Sequence, residues 1–516
     1  MHSYTEFLPV RTAADNCDVV PLMEHVLRTK GRQTFLRFEN HATSYADMAR
    51  QISGVRAWLA GAGIAPGDRV AVMLTNSELH VALIYALIQH GAVWVPVNTR
   101  LKESGLGYIM GHCRPALVIT ETQFENEVRR AVNGADLRAQ VQCIEAVEWP
   151  AANAGEIVQT RQDPLRPLCI IYTSGTTGAP KGVVFTHRMM RLAGEAALMV
   201  AAAGEGDCLF VWEPLCHIGG AQMLLTPFLA DVQLFIVERF SATRLWAQLE
   251  QAQATHLHYL GGILDMLMQL PPAPRESASS VRVAWGAGVR VDAWHAIRAR
   301  FGWRLNECYG MTECASFATI NTVDTPGSIG RPLPWMDIDL FGADGSVVTG
   351  AGVGEMVLSS RIDGNFLPGY LDNPAATAQT LRNGKLHTGD VARRDAAGNY
   401  YFVGRGSDSM RVRGENVSAW EVEHVIERCE GVRAAAAVGV ASEIGEQDIL
   451  LYVQADAARF DFAMLARWAG ERLAPYQIPR YYRQVAEFER TPSERIRKHL
   501  LSRDPAGAWD RLARQP

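Results

Sequence analysis

Apolar and polar positions alternate along this chain in two rhythms. The unbroken apolar run RVAVMLT, Arg69 to Thr75, follows a Pro66-Gly67-Asp68 turn and predicts a buried strand. Leu79 to Gln89 then carries apolar residues at helical spacing, and AVWVPV (Ala92 to Val97) predicts a second strand. PALVIT, LCIIYTS, KGVVFTH, DCLFVWEP, QLFIVE and VRVAWGAG continue the rhythm to Gly288. Strand runs separated by helix-length stretches predict an α/β fold of mainly parallel, buried sheets flanked by helices.

Beyond residue 335 the strands shorten and turn residues multiply, in DIDLFGADGS, GEMVLSS and GNYYFVG. This change predicts an antiparallel, barrel-like subdomain. Gly404-Arg405-Gly406-Ser407-Asp408 suits a hinge. After it, a helix from Ala419 to Cys429, the strands AAAAVGV and ILLYVQA, and a helix from Phe462 predict a small α+β domain. The expected division is a large N-terminal domain, 1–404, and a small mobile one, 405–516.

Composition narrows the function classes. The 516 residues include 50 Lys and Arg against 55 Asp and Glu, a net charge of −5. That balance disfavours a general nucleic-acid binder, so any anion must be gripped by a local site. Nine cysteines, none spaced as C-x-x-C, predict reduced thiols in a cytoplasmic protein with no zinc site. No signal peptide is expected at the N-terminus, and no run is long and apolar enough for a membrane span. A homodimer is kept as an expectation, since the sequence does not fix oligomeric state.

YTSGTTGAPKG, Tyr172 to Gly182, concentrates the hydroxyls of Thr173, Ser174, Thr176 and Thr177 with Gly175, Gly178 and Lys181 directly after an apolar strand. Glycines let backbone N–H groups approach an anion closely, hydroxyls add donors, and Lys181 adds charge. The reading is a polyphosphate cradle; the plainer alternative is a surface turn. It is no Walker loop, because G-K-[ST] is missing.

This loop resembles the phosphate-binding signature of the adenylate-forming (ANL) superfamily, and further matches follow over nearly the whole chain. Tyr309-Gly310-Met311-Thr312-Glu313 resembles the second nucleotide motif. The resemblance implies that Tyr309 stacks on adenine, Thr312 meets the α-phosphate, and Glu313, with Thr173, serves Mg²⁺. Alone, the segment reads sooner as a strand-to-helix turn with a threonine cap; with the first motif present, the nucleotide reading is preferred. Gly286-Ala287-Gly288, after Trp285, is similar to the glycine-rich segment beneath the base. Asp390 and Arg405 resemble the ribose-contacting pair, and Phe402 sits where relatives place an apolar residue against the base.

His217, in PLCHIGG, stands where the superfamily has a gate between acyl pocket and pantetheine tunnel; neighbouring Cys216 reads as packing, not as a nucleophile. Trp212, Tyr259 to Gly262, Trp285 and CASFAT (Cys314 to Thr319) are expected near the acid. The loop RVRGENVS, with Arg411, Gly414 and Asn416, resembles the one that serves thioester formation, particularly in the carnitine/crotonobetaine-CoA ligase branch. One position departs: Arg495 falls where the superfamily places a lysine bridging carboxylate and α-phosphate, and Lys498 lies three residues on.

The resemblance therefore implies an acyl-CoA synthetase: ATP, Mg²⁺ and coenzyme A, with a small carboxylic acid activated as its adenylate. Transfer to a carrier-protein thiol or an amine is the alternative. A catalytically silent nucleotide-binding relative is a third, supported by Arg495 alone.

Overall fold

The computed structural model describes residues 18–513 except 102, 148, 151–162, 174–179, 277, 343, 406–408, 413–414, 443–446, 457–459, 474, 476 and 491–495. The chain divides into two compact units. The first holds most of the chain up to Ile338 together with Leu358–Leu386; Asp339–Val357 and His387–Pro516 belong to the second.

Two sheets build the first unit. One has nine strands in the order Arg331–Pro332, Ser316–Asn321, Arg304–Met311, Val283–Ala287, His256–Leu260, Cys208–Val211, Gln233–Ile236, Thr34–Phe38 and His41–Ser44. Six consecutive strands run parallel; His41–Ser44 pairs antiparallel at one side, and Ser316–Asn321 followed by Arg331–Pro332 pair antiparallel at the other. The other sheet orders Gln140–Cys143, Leu117–Thr120, Arg69–Met73, Val93–Pro96, Pro167–Thr173 and Lys181–Thr186. Five of these are parallel; Lys181–Thr186 folds back antiparallel on Pro167–Thr173. The α/β expectation is thus realised, with the apolar runs RVAVM, VWVP and LVIT each in a strand of the second sheet.

The helix Glu78–His90 illustrates how local chemistry fixes an element. Ser77 caps its N-terminus by accepting the His80 N–H, and Gly91 ends it in a left-handed conformation. Val81 through Ile88 are all buried, which an apolar helix requires on every face. Around the nine-stranded sheet, Trp246, Trp294, Trp303, Leu249, Leu257 and Tyr259 belong to one continuous core.

In the second unit, Ser409–Val412 and Glu415–Ser418 form a hairpin. A four-stranded sheet orders Val432–Ala441, Gln447–Ala455, Tyr481–Gln484 and Trp509–Asp510. The helices Ala419–Ile426 and Phe462–Gly470 contribute to its apolar core. The first of them ends at Ile426, three residues short of the Cys429 expected from its pattern. After residue 335 comes a separate five-stranded sheet, in which Lys385–Arg394 pairs antiparallel with Tyr400–Arg405; the expected shortening is not realised, since Gly352–Ser360 and Lys385–Arg394 are nine and ten residues long. No described helix is long and apolar enough to cross a membrane.

Candidate active site

In the first unit the two nucleotide motifs stand on paired elements. Thr173, at the end of Pro167–Thr173, is in register with Lys181, and its hydroxyl lies 3.5 Å from the Lys181 carbonyl. The connecting residues Ser174, Gly175, Thr176, Thr177 and Gly178 lie outside the described residues. Tyr309, Gly310 and Met311 end the strand Arg304–Met311, and Thr312 and Glu313 enter a 3-10 turn over Thr312–Cys314. That turn has no side-chain cap, so the capping role considered for Thr312 is not realised. A bulge between Tyr309 and Gly310 shifts the register against Ser316–Asn321 and re-aims the residues that follow. A side chain at Gly310 would fall on the Ser316 carbonyl oxygen, which leaves glycine as the only fit.

Glu313 is buried, and its Oε1 accepts a 2.7 Å hydrogen bond from the Tyr370 hydroxyl. Oε2 accepts none. Lys181 Nζ sits 5.1 Å from the centroid of the same Tyr370 ring. No sequence motif had pointed to Tyr370; PGYLDNP reads as a loop, and only the fold reveals the tyrosine between the two motifs. A single hard carboxylate with an oxygen left open among the described residues fits Mg²⁺ arriving with a nucleotide. Among the described residues no group of three or more His, Cys, Asp or Glu that could hold a metal ion occurs.

The glycine-rich segment Gly286-Ala287-Gly288 ends the neighbouring strand, where Gly286 pairs with Glu307. Glu307, also missed from sequence, is buried, and its Oε1 accepts the N–H groups of Gly288 and Val289. Burial raises its pKa to about 8 against those hydrogen bonds. The Tyr259 hydroxyl lies 2.7 Å from Glu307 Oε2 and 3.0 Å from the Asn306 carbonyl. It has one hydrogen to give, so a protonated Glu307 completes the set by donating to it.

Nearby, Trp285 is fully buried with its ring 4.3 Å from His258, and the Trp212 indole N–H donates to the His258 carbonyl at 2.8 Å. His258 Nδ1 contacts Glu213 Oε1, both side chains buried; burial pushes the imidazole pKa down to about 3. His217 Nε2 lies 3.0 Å from Asn98 Nδ2, a pair joining loops from the two sheets. Its neutral nitrogen must accept from that amide, and burial together with Arg100 lowers its pKa. Cys216 is buried with its thiol pushed up to about 12, which bears out a packing role.

In the second unit Asp390 is a buried residue of the strand Lys385–Arg394. It pairs with Arg405 across the bulged Lys385–Arg394 and Tyr400–Arg405 strands, and its N–H donates to Thr388 Oγ1 at 3.0 Å. The Phe402 ring meets Trp420 edge-on at 6.3 Å. Arg411 and Asn416 are partners in the hairpin register, whereas Gly414 lies outside the described residues. Arg495 lies outside them too. Lys498 is engaged within the unit, 2.8 Å from Glu423.

Comparison with known proteins adds an independent line. The AMP-binding enzyme family matches residues 23–371, and the AMP-binding enzyme C-terminal domain matches 421–495. The chain is 31% identical to a sulfoacetate–CoA ligase of Cupriavidus necator over 479 residues, 89% of this chain and 92% of that protein. It is 28% identical to a crotonobetaine/carnitine–CoA ligase of Citrobacter koseri, covering 91% and 96% respectively. Among solved structures, the o-succinylbenzoate-CoA synthetase of Bacillus subtilis, in complex with its acyl-adenylate intermediate, shares the fold. The TM-score is 0.83 at 22% identity, over 93% of this chain and 97% of that one.

Proposed function

Because the chain belongs to the AMP-binding enzyme family, whose profile matches residues 23–371, we propose that it is an AMP-forming acid–CoA ligase. A carboxylate attacks the α-phosphorus of ATP, pyrophosphate leaves, and the thiol of coenzyme A then attacks the acyl-adenylate carbonyl and expels AMP. One observation carries this reading at the site. Within the first unit a buried carboxylate and an ammonium flank one tyrosine, and among the described residues one carboxylate oxygen stays open and the ammonium has no ion pair.

Little covalent work falls to the protein, which must align attacker and leaving group and offset charge. Lys181 and the Thr173-to-Gly178 loop hold the triphosphate, and Thr312 meets the α-phosphate. Glu313 and Thr173 would hold Mg²⁺, which when bound offsets phosphate charge. Tyr309 and Met311 flank the base over Gly286, Ala287 and Gly288, with Gly310 allowing the strand to bend; Phe402 covers its other side. Asp390 and Arg405 take the ribose hydroxyls. Arg495 spans carboxylate and α-phosphate in the first half-reaction. For the second, rotation at Gly404–Asp408, between domains 1–404 and 405–516, brings in Arg411, Gly414 and Asn416, and His217 gates the thiol's path.

The acid is small and polar in this proposal, in keeping with relatives that are named for sulfoacetate and for crotonobetaine and carnitine. The test is acid-dependent release of pyrophosphate from ATP, run over sulfonated, betaine and aromatic acids with and without coenzyme A. AMP and a thioester are the expected products; ADP, or release indifferent to every acid, would refute it. A cytoplasmic homodimer completes the proposal. Eight described cysteines, all buried free thiols, support the compartment, and sedimentation tests the assembly.

A further inference from the structure

We propose that Tyr370 is a positioning residue that keeps Lys181 and Glu313 apart, so that each meets the nucleotide unpaired. The inference rests on the reading of Lys181 as the phosphate-side cation and Glu313 as the metal-side carboxylate.

An ammonium and a carboxylate in a shielded site attract each other strongly, and a direct pair would consume both charges. Here neither reaches the other, and both engage Tyr370 instead. Its hydroxyl donates to Glu313 Oε1 at 2.7 Å, which fixes the carboxylate plane and leaves Oε2 open. Its ring face holds the Lys181 ammonium at 5.1 Å, a cation–π contact weaker than an ion pair and readily exchanged for phosphate. A neutral donor and a π face thus satisfy two opposite charges without cancelling either.

The backbone makes the arrangement rigid. Tyr370 forms a β-bridge with Val183, the Val184 N–H donates to the Gly369 carbonyl at 3.2 Å, and the Leu371 N–H donates to Gly182 at 2.8 Å. The Leu367 N–H donates to the Glu313 carbonyl at 2.9 Å. One five-residue loop is therefore bonded both to the strand bearing Lys181 and to the turn bearing Glu313. Thr380 Oγ1, 3.5 Å behind the phenol oxygen, offers it a second partner. Partners that orient a metal's carboxylate in this way typically matter by 10–100-fold in metal affinity.

The test measures ATP affinity by calorimetry, in EDTA and in Mg²⁺, for the parent, Tyr370→Phe, Tyr370→Leu, Glu313→Gln and the Tyr370→Leu/Glu313→Gln pair. Tyr370→Phe keeps the ring and loses the hydroxyl. It should retain the parental affinity in EDTA and lose about 10–100-fold of the gain from Mg²⁺. Tyr370→Leu should also bind weakly in EDTA, because Lys181 is released onto Glu313. Adding Glu313→Gln to it should restore the EDTA affinity by freeing the lysine, a rescue that a purely structural tyrosine would not give. A parental Mg²⁺ gain in Tyr370→Phe, or no rescue in the double variant, overturns the inference. If Glu313→Gln alone keeps the full Mg²⁺ gain, the assignment of Glu313 itself fails, and the role of Tyr370 fails with it.

Discussion

Replacing Glu307 by glutamine turns a buried carboxyl into a stability measurement with a defined sign. Burial raises its pKa from 4.5 to about 8. Across that window the folded chain keeps a proton that the unfolded chain has released. Stability therefore falls as pH rises from 4.5 towards 8 and levels off above it. At about 1.4 kcal/mol per pKa unit, the whole span is worth ~5 kcal/mol, about half of it between pH 6 and pH 8. Glutamine imitates the protonated acid: its oxygen accepts from Gly288 and Val289, and its amide donates to the Tyr259 oxygen. The variant should thus gain about 2 kcal/mol on the parent over that interval, read from urea unfolding of both proteins at pH 6, 7 and 8. If the difference between the two curves is the same at all three values, Glu307 is ionised in the folded protein and the reasoning fails.

Other outcomes follow from the same geometry. Lys181→Ala and Glu313→Ala should each slow acid-dependent pyrophosphate exchange by about 100-fold or more, with parental melting temperatures. Gly310→Ala forces a methyl group onto the Ser316 carbonyl and should cost more than about 3 kcal/mol, seen as a large drop in melting temperature. Iodoacetamide should leave activity intact, because Cys216 is buried with its thiol held near pKa 12; rapid inactivation reversed in Cys216→Ser would contradict this. Because its pKa is lowered, His217 should contribute no activity step between pH 6.5 and 8, so the His217→Ala and parental pH profiles should be parallel there.

The strand-forming runs were legible because each is apolar, short and bounded by turn residues, and burial on both faces of a parallel sheet demands nothing more. Less visible was the reversal of Lys181–Thr186, which folds back on the preceding strand. KGVVFTH looks the same whether it runs parallel or antiparallel, since both place it in the core. Lys181, Glu313, Tyr309 and Asp390 announced themselves through dense or unusual motifs. Tyr370 and Glu307 did not, because their importance comes from what they touch: a tyrosine among Pro, Gly and Asn reads as loop, and an acid two residues before Tyr309 reads as a solvated face. Asp390 stands in a turn-like tripeptide that the sheet nevertheless holds in its interior.

The boundary between the two units cuts the polypeptide more than once, since Asp339–Val357 belongs with the stretch from His387 onward while Leu358–Leu386 returns to the first unit. A body stitched from separated stretches cannot be inherited, deleted or grafted as a single terminal cassette. Any chimera that exchanges this unit with a relative needs at least three junctions, and one spliced only near residue 404 would strand Asp339–Val357 and the residues from His387 to the splice on the N-terminal piece.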